Sequence, residues 1–150
     1  MDILDKVSLK KFTTIRIGGR SSKIYFAKTL EDLELLKSKI SSQKTLILGN
    51  GSNIAFKDSG YKNSIISLKC FKKSIRRIDD LQIICMTNVS SSRFSKFCFK
   101  NKIPGFEFLH GIPGSLGGAI AMNAGAFGDE IWSHIDSVKC ILNDGTTKIY

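Results

Sequence analysis

The stretch from Gly105 to Gly128, GFEFLHGIPGSLGGAIAMNAGAFG, constrains this chain more than any other. Seven of the thirteen glycines fall in it: Gly105, Gly111, Gly114, Gly117, Gly118, Gly125 and Gly128. Pro113 lies inside it and Pro104 abuts it, and the chain has no other proline. Glu107 is its one formally charged residue. Glycine loses more backbone entropy on folding than any other residue, so this density needs a reason. A flexible linker would be polar, whereas Ile112, Leu116, Ile120, Met122 and Phe127 are spread through the stretch. The pattern predicts a buried loop whose main chain approaches something closely and whose freed N–H groups need an acceptor. A phosphate-bearing or flat aromatic cofactor supplies both, and a glycine-rich packing turn between core elements is the alternative left open.

Upstream, residues 1–11 read as polar and loosely held. Thr13 to Gly19, TTIRIGG, reads as a short extended piece ending in a double-glycine turn. Lys23 to Ala27 is strand-like. Thr29 suits a helix N-cap, followed by Glu31, Asp32 and Glu34 and by an apolar stripe of Leu30, Leu33, Leu36 and Ile40. Thr45 to Leu48 has the compact apolar character of a buried parallel strand. It runs directly into Gly49-Asn50-Gly51-Ser52-Asn53 and then Ile54-Ala55-Phe56, a second short strand candidate. A glycine-rich polar loop after a strand can expose successive N–H groups as an anion nest, or can be a plain β-turn. No GK[ST] follows, and the next residues are β-like, so neither a Walker loop nor a GxGxxG helix start is present.

Strands are further predicted at Ser64–Leu68, Ile75–Ile78 and Leu81–Met86, the last two joined by a turn at Asp79-Asp80. Ser90 to Ser92 offer caps for a helix near 91–101 that stops before Pro104. Ile135 to Leu142 and Thr146 to Tyr150 form a hairpin around Asn143-Asp144-Gly145.

A length of 150 residues permits a substantial core. No apolar run is long enough to span a bilayer, so no membrane partner is expected. The opening MDILDKVSLKKF lacks a signal-peptide pattern, which makes a cytoplasmic location the expectation. Cys70, Cys85, Cys98 and Cys140 form no CxxC pair; no metal site is expected, and all four read as reduced core thiols. The net charge of +10 is uneven. Residues 1–102 carry 21 Lys/Arg against 8 Asp/Glu, and residues 103–150 carry 2 against 5. The densest cluster is Lys69, Lys72, Lys73, Arg76 and Arg77. It lacks aromatic interleaving and a recognition module, so it reads as a solvated basic face rather than a nucleic-acid surface.

Three segments in fixed order, TTIRIGG at 13–19, LGNGSN at 48–53 and GFEFLHGIPGSLGGAIAMNAGAFGDEI at 105–131, closely resemble the UDP-N-acetylenolpyruvoylglucosamine reductases, also called UDP-N-acetylmuramate dehydrogenases. The likeness runs from about residue 9 onward. It implies an α+β fold of the vanillyl-alcohol-oxidase/PCMH type, in which two subdomains sandwich FAD. Here they are expected at 1–68 and 69–150, with the second incomplete and the family's substrate-binding domain absent. The resemblance also implies non-covalent FAD, NADPH as reductant, and a nucleotide-sugar substrate reduced at its enolpyruvyl group in peptidoglycan synthesis. By position, Gly49, Asn50, Gly51, Ser52 and Asn53 match the loop that cradles the FAD diphosphate. Ile112, Pro113, Gly114, Ser115, Gly117 and Gly118 match a second wall, continued toward the flavin by Asn123, Ala124 and Gly125.

The sequence departs from the family pattern at several points. Asn50 replaces glycine or glutamate. Met86-Thr87-Asn88 replaces a small-residue strand end, so the side chains of Thr87 and Asn88 are expected to crowd the adenosine side. His110 replaces a small residue and reads as pocket-lining or partly exposed rather than as a flavin tether. The family's catalytic arginine, serine and glutamate have no counterpart here, and Arg16, Arg20 and Glu107 show no acid–base pattern that would replace them. Glu107 instead suits main-chain donors of the glycine stretch. Two readings stay open: an FAD-binding part of such a reductase, completed by further sequence or a second chain, or a catalytically dead FAD- or nucleotide-binding module. Another flavin oxidoreductase of the same superfamily is a third.

Overall fold

Alternation along one strand organises the first half of the chain. Ile24 and Phe26 point to one face of it, Tyr25 and Ala27 to the other, and all four are buried. A strand buried on both faces belongs inside a sheet with cover on each side. The computed structural model describes residues 1–40, 44–142 and 144–150. Its main sheet contains β1 (Asp2–Asp5), β2 (Ser21–Phe26), β3 (Leu46–Leu48) and β4 (Tyr61–Ser67) in the order β1-β2-β4-β3. β2, β4 and β3 run parallel, in the register Ile24↔Ile65 and Leu46↔Ile65, while β1 is antiparallel to β2. On one face Leu9, Ile24, Phe26, Leu48, Phe56 and Ile65 form a core. On the other, Tyr25, Ala27, Ile66, Leu33 and Leu36 pack together.

The described residues fall into two compact units, Met1–Phe71 with Asp136–Tyr150, and Lys72–Ile135. In the first, the β2-to-β3 connection contains α1 (Leu30–Leu35) and α2 (Lys37–Ile40). Thr29 caps α1 through a reciprocal box: its hydroxyl accepts the Asp32 N–H, and the Asp32 carboxylate accepts the N–H groups of Thr29 and Lys28. Those backbone donors hold the Asp32 carboxyl below the usual range. The single helix expected through residue 40 is instead broken at Leu36, whose φ/ψ of −93°/0° closes α1. Leu30, read as part of the apolar stripe, is exposed.

Three other expectations change here. Residues 1–11 are not loose: β1 pairs with β2, and Leu9 is fully buried at the start of a 3₁₀ turn. Ile54-Ala55-Phe56 forms no strand, although Phe56 is buried, with its Cβ against Gly18. Strands β9 (Lys139–Ile141) and β10 (Thr147–Ile149) form the expected antiparallel hairpin, but β9 starts four residues later than the alternation suggested. Ile141 packs on the Tyr25 side of the sheet, so this hairpin groups with the first unit rather than with residues 69–135. Asn143 lies outside the described residues; Asp144 accepts both the N–H and the hydroxyl of Thr146.

The second unit begins with β5 (Ile75–Arg77) and β6 (Ile83–Cys85), an antiparallel ribbon. Its turn is held by the Asp79 carboxylate, which accepts from Leu81 and Gln82 N–H. Helix α3 (Ser91–Lys100) is capped by Ser90, as expected, through the Arg93 N–H. The glycine stretch is more ordered than a loop. It holds a 3₁₀ turn at Glu107–His110, helix α4 (Leu116–Ala121) and the start of a two-residue ribbon, β7 (Gly125–Ala126) with β8 (Asp129–Glu130). The core is Val89, Phe94, Cys98, Phe108, Leu109, Leu116, Ala119 and Ile131. Not all of the stretch is buried: Met122 is exposed and Phe127 is 97% exposed.

All four cysteines are free thiols, but Cys70 is exposed, which corrects its assignment to the core. Burial raises the Cys85 thiol to about 12 and the Cys98 thiol to about 11. A raised folded-state value favours the native state fully below the unfolded thiol range, near pH ~8.5, and this contribution is lost as pH climbs toward the folded values. In native protein at pH 8, a thiol-specific reagent should therefore modify Cys70 first and leave Cys85 and Cys98 until denaturant is added. Unfolding midpoints should also fall between pH 9 and 11. Equal labelling rates at all four positions would contradict this packing.

Candidate cofactor-binding site

β3 ends at buried Leu48 and the chain turns at once into Gly49 and Asn50, both exposed. Gly51 is buried at φ +73°, and its carbonyl accepts the Thr14 N–H at 2.9 Å. A Cβ at Gly51 would stand 1.8 Å from the Phe12 carbonyl oxygen. Only glycine satisfies both the left-handed conformation and that approach. The segment 12–14 therefore clasps the loop from below. Among the described residues, the main-chain N–H groups of Gly49, Asn50, Gly51 and Asn53 donate to no protein acceptor. Backbone donors in a folded chain are otherwise nearly always paired, so this row is suited to an outside acceptor.

Beside the loop is an open cleft of about 280 Å³. Gly49, Asn50, Thr13, Thr14 and Ser67 line it, with three cations, Lys11, Arg16 and Lys69. Among the described residues no carboxylate lines it. It lies at the carboxyl ends of β3 and β4, the edge where parallel sheets hold ligands. The residues thus fit a diphosphate, since the neutral main chain of Gly49 and Asn50 and the three cations line one cleft. The sequence reading found the loop but not the cations or Ser67. TTIRIGG was the available signal: Thr13, Thr14 and Arg16 come to the cleft because the glycines after them meet the 56–60 segment, where a Cβ at Gly19 would fall 2.0 Å from the Asp58 carbonyl oxygen. Arg16 itself sits at φ +55°.

The second unit uses its glycines differently. Ser115 caps α4 through the Gly118 N–H, the Leu116 N–H donates to the Val89 carbonyl at 2.7 Å, and the Gly117 N–H donates to the Thr87 carbonyl at 2.8 Å. The expectation of freed N–H groups fails at these three positions, because Ser115 takes one and the 87–89 turn takes the other two. Gly117 is glycine for the same reason, since a Cβ would fall 2.7 Å from Thr87 Cβ. Asn88 is only 7% exposed, and Thr87 is half-buried with its Cβ against Gly117.

Gly118 differs: it is exposed, and a Cβ there would meet only the capping Ser115 Oγ, at 3.3 Å. Ile112 is half-buried and Pro113 exposed, while Gly114 adopts φ +128° and its carbonyl accepts the Ser91 N–H. Asn123, at φ +46°, donates to Glu130 and accepts the Trp132 N–H. Its side chain holds the β7–β8 ribbon, where a Cβ on Gly125 would fall 2.5 Å from the Asp129 carbonyl oxygen. Ala124 is half-buried. Glu107 accepts the Gly105 N–H at 2.9 Å, the structural role expected of it, and His110 is exposed. A residue the sequence reading passed over, His134, hydrogen-bonds both Asp129 carboxylate oxygens at 2.9 Å, which holds that carboxyl below its usual range, and packs on Phe106 and Phe108.

This is a cofactor-binding α+β fold, and residues 18–149 match the family described as FAD binding domain, to which the chain belongs. It is similar to the UDP-N-acetylenolpyruvoylglucosamine reductase of Methylococcus capsulatus, with 36% identity over 148 residues, covering 96% of this chain and 48% of that protein. The enzyme of the same name from Geobacillus thermodenitrificans is 35% identical over 150 residues, with 98% and 48% covered. A crystal structure of UDP-N-acetylenolpyruvylglucosamine reductase from Thermus caldophilus superposes with a TM-score of 0.76 at 25% identity, covering 99% of this chain and 51% of that one. The chain spans about half the length of the curated relatives it matches.

Two glycine substitutions separate structural from ligand-facing glycines. Gly51→Ala should cost on the order of 2–4 kcal/mol in urea unfolding, through left-handed strain and overpacking against Phe12. Gly118→Ala should leave stability unchanged or raise it by up to about 1 kcal/mol, because alanine is the better helix former and a Cβ would press only on the Ser115 hydroxyl, which needs to give by a few tenths of an ångström. Equal destabilisation by both would refute the distinction.

Proposed function

We propose that this chain binds FAD non-covalently and is the flavin-holding part of a reductase acting on UDP-N-acetylenolpyruvoylglucosamine. The single observation that carries the proposal is the cleft at the end of β3, where donor groups without protein acceptors face Lys11, Arg16 and Lys69. In this reading Gly49 to Asn53 hold the diphosphate, with Ser52 and Asn53 adding side-chain donors, and the three cations offset its charge. The resemblance further implies FAD contacts by Ile112, Pro113, Gly114, Ser115, Gly117 and Gly118, with Asn123, Ala124 and Gly125. The exposed face of Gly118 supports this, since it leaves room for a flat group. Bound FAD would supply a two-electron carrier able to take hydride from NADPH and pass it to an enolpyruvyl carbon.

The relatives' activity also requires a proton donor and stabilisation of developing negative charge. General acid catalysis typically contributes about 10²–10⁴ in rate. Three titratable groups of the glycine region are held by other contacts: Glu107 accepts the Gly105 N–H, and His134 and Asp129 hold each other. The 150 residues by themselves are therefore expected to bind flavin without turning over substrate.

Titration with FAD, followed by quenching of flavin fluorescence, tests the binding. Saturable one-to-one quenching is expected, with the affinity reduced roughly tenfold in a Lys11→Gln/Lys69→Gln variant, as suits lost charge-assisted contacts. Denaturation should release all flavin; retention on the protein would revive a covalent link at His110. NADPH consumption dependent on the enolpyruvyl substrate should stay at background with FAD in excess. Absence of any FAD binding, or turnover near that of a complete enzyme, would sink the proposal.

A further inference from the structure

None of the cations between Lys72 and Lys102 lines the Gly49–Asn50 cleft. Residues 72–102 hold eight Lys/Arg against two Asp/Glu, Asp79 and Asp80. Both acids are committed inside the β5–β6 ribbon. The Asp79 carboxylate accepts the N–H groups of Leu81 and Gln82 at 2.7 and 2.8 Å, and Asp80 pairs with Arg77 at 2.6 Å. Arg77 also donates to the Asp79 carbonyl at 2.7 Å and to the Asn101 carbonyl at 3.4 Å, which braces the ribbon against the end of α3. Lys72, Lys73 and Arg76 are exposed and have no carboxylate partner among the described residues.

The pairing register divides the ribbon into two faces. Ile75 lies opposite Cys85, and Ile75, Ile83 and Cys85 pack against the core of the second unit. Alternation turns Arg76, opposite Ile84, to the other face. Ile78, whose N–H donates to the Gln82 carbonyl, follows on that same side. Ile78 and Ile84 are about half exposed, and Leu81, in the turn, is 94% exposed. The outward face therefore carries branched apolar side chains toward its tip and cations toward its base. The hydrogen bonds of Asp79 hold the turn in shape with Leu81 out in water.

We propose that this ribbon docks the chain peripherally on the surface of an anionic lipid bilayer. Ile78, Leu81 and Ile84 enter the boundary between headgroups and acyl chains, and Lys72, Lys73 and Arg76 meet the lipid phosphates. Amphipathic surface elements bind in that plane through buried apolar area together with attraction to anionic lipid. Neither contribution suffices alone here, because the apolar patch is small and exposed charges are screened within a Debye length. A nucleic acid or an acidic peptide would answer the cations and leave Leu81 in water, and the ribbon has no aromatic ring on which a base could stack. No helix of the described residues is long and apolar enough to cross a membrane, which bears on spanning and not on surface docking. The sequence reading treated Lys72, Lys73 and Arg76 as a solvated face because alternation does not show which apolar row is left uncovered.

Sedimentation of the full chain with sucrose-loaded vesicles is the test, using phosphatidylcholine alone and phosphatidylcholine mixed with phosphatidylglycerol. Binding is expected to the mixed vesicles only, weakened by salt and equal with or without saturating FAD, so it can fail independently of flavin binding. Lys72→Gln/Lys73→Gln/Arg76→Gln should lower partitioning about a hundredfold, at about fivefold per cation. Removing the same charge from the first unit, in Lys23→Gln/Lys39→Gln/Lys62→Gln, should change it less than about threefold. Leu81→Ser/Ile84→Ser should lower it about tenfold or more with an unchanged circular dichroism spectrum. In Leu81→Trp, brominated acyl chains should quench emission beyond the level seen for Trp132 in the parent chain. The inference is overturned by equal partitioning onto both kinds of vesicle, by none onto either, or by equal losses in the two charge-removal variants. Unchanged partitioning of Leu81→Ser/Ile84→Ser or no added quenching overturns it as well. So does tighter binding to single-stranded RNA than to mixed vesicles, or self-association in solution that Leu81→Ser/Ile84→Ser abolishes.

Discussion

Burial of β2 on both faces is the constraint on which the first unit depends. Ile24 and Phe26 on one side and Tyr25 and Ala27 on the other require cover above and below. Roughly 1.5–3 kcal/mol accompanies full burial of each large apolar side chain, so no neighbouring element is free to leave. Leu9 and Phe56 cover one face, and α1, α2 and Ile141 the other. The same strand gives the sheet its polarity, because β4 and β3 run parallel to it. A sheet with polarity has two unlike ends, and in this unit a basic cleft opens at the carboxyl ends of β3 and β4.

The glycines divide by what they approach. Gly18, Gly19, Gly51, Gly60, Gly117 and Gly125 each lie so close to another part of the chain that a side chain would collide with it. Their smallness serves internal contact, and any ligand benefits at one remove, through the loops they hold in place. Gly111 is exposed and open, and Gly118 is exposed with only the Ser115 hydroxyl near it. A high glycine count in a cofactor-binding sequence is thus a record chiefly of how closely the chain packs on itself.

Much of this was legible beforehand, and what was not has physical causes. Thr29 with Asp32 and Ser90 before α3 were readable because capping depends on a few local atoms. LGNGSN was readable because a polar glycine loop after an apolar strand has few uses. β1 was missed because every one of its residues is exposed, so alternation carried no signal. α4 was missed because Gly117 and Gly118 are poor helix formers; Thr87 and Val89 carbonyls hold its first turn from outside. Lys11 and Arg16 lie some fifty residues before Ser67 and Lys69, and only the folded sheet brings the two stretches to one cleft.

The connection from β3 to β4, residues 49–60, contains neither helix nor strand, although parallel neighbours are usually joined through a helix. It therefore has no ladder of its own to nucleate it, and its shape comes from Phe12, Thr14, Gly18 and Gly19 pressing on Gly51, Phe56 and Asp58. Those partners are some 35 to 40 residues earlier in the chain, so the loop can settle only after β2 and β3 have taken their places. A partly folded chain would carry the residues of LGNGSN without their donor geometry. Under the proposed function, flavin retention is a late checkpoint of assembly, and a ligand that selects the finished loop stabilises the whole unit by mass action.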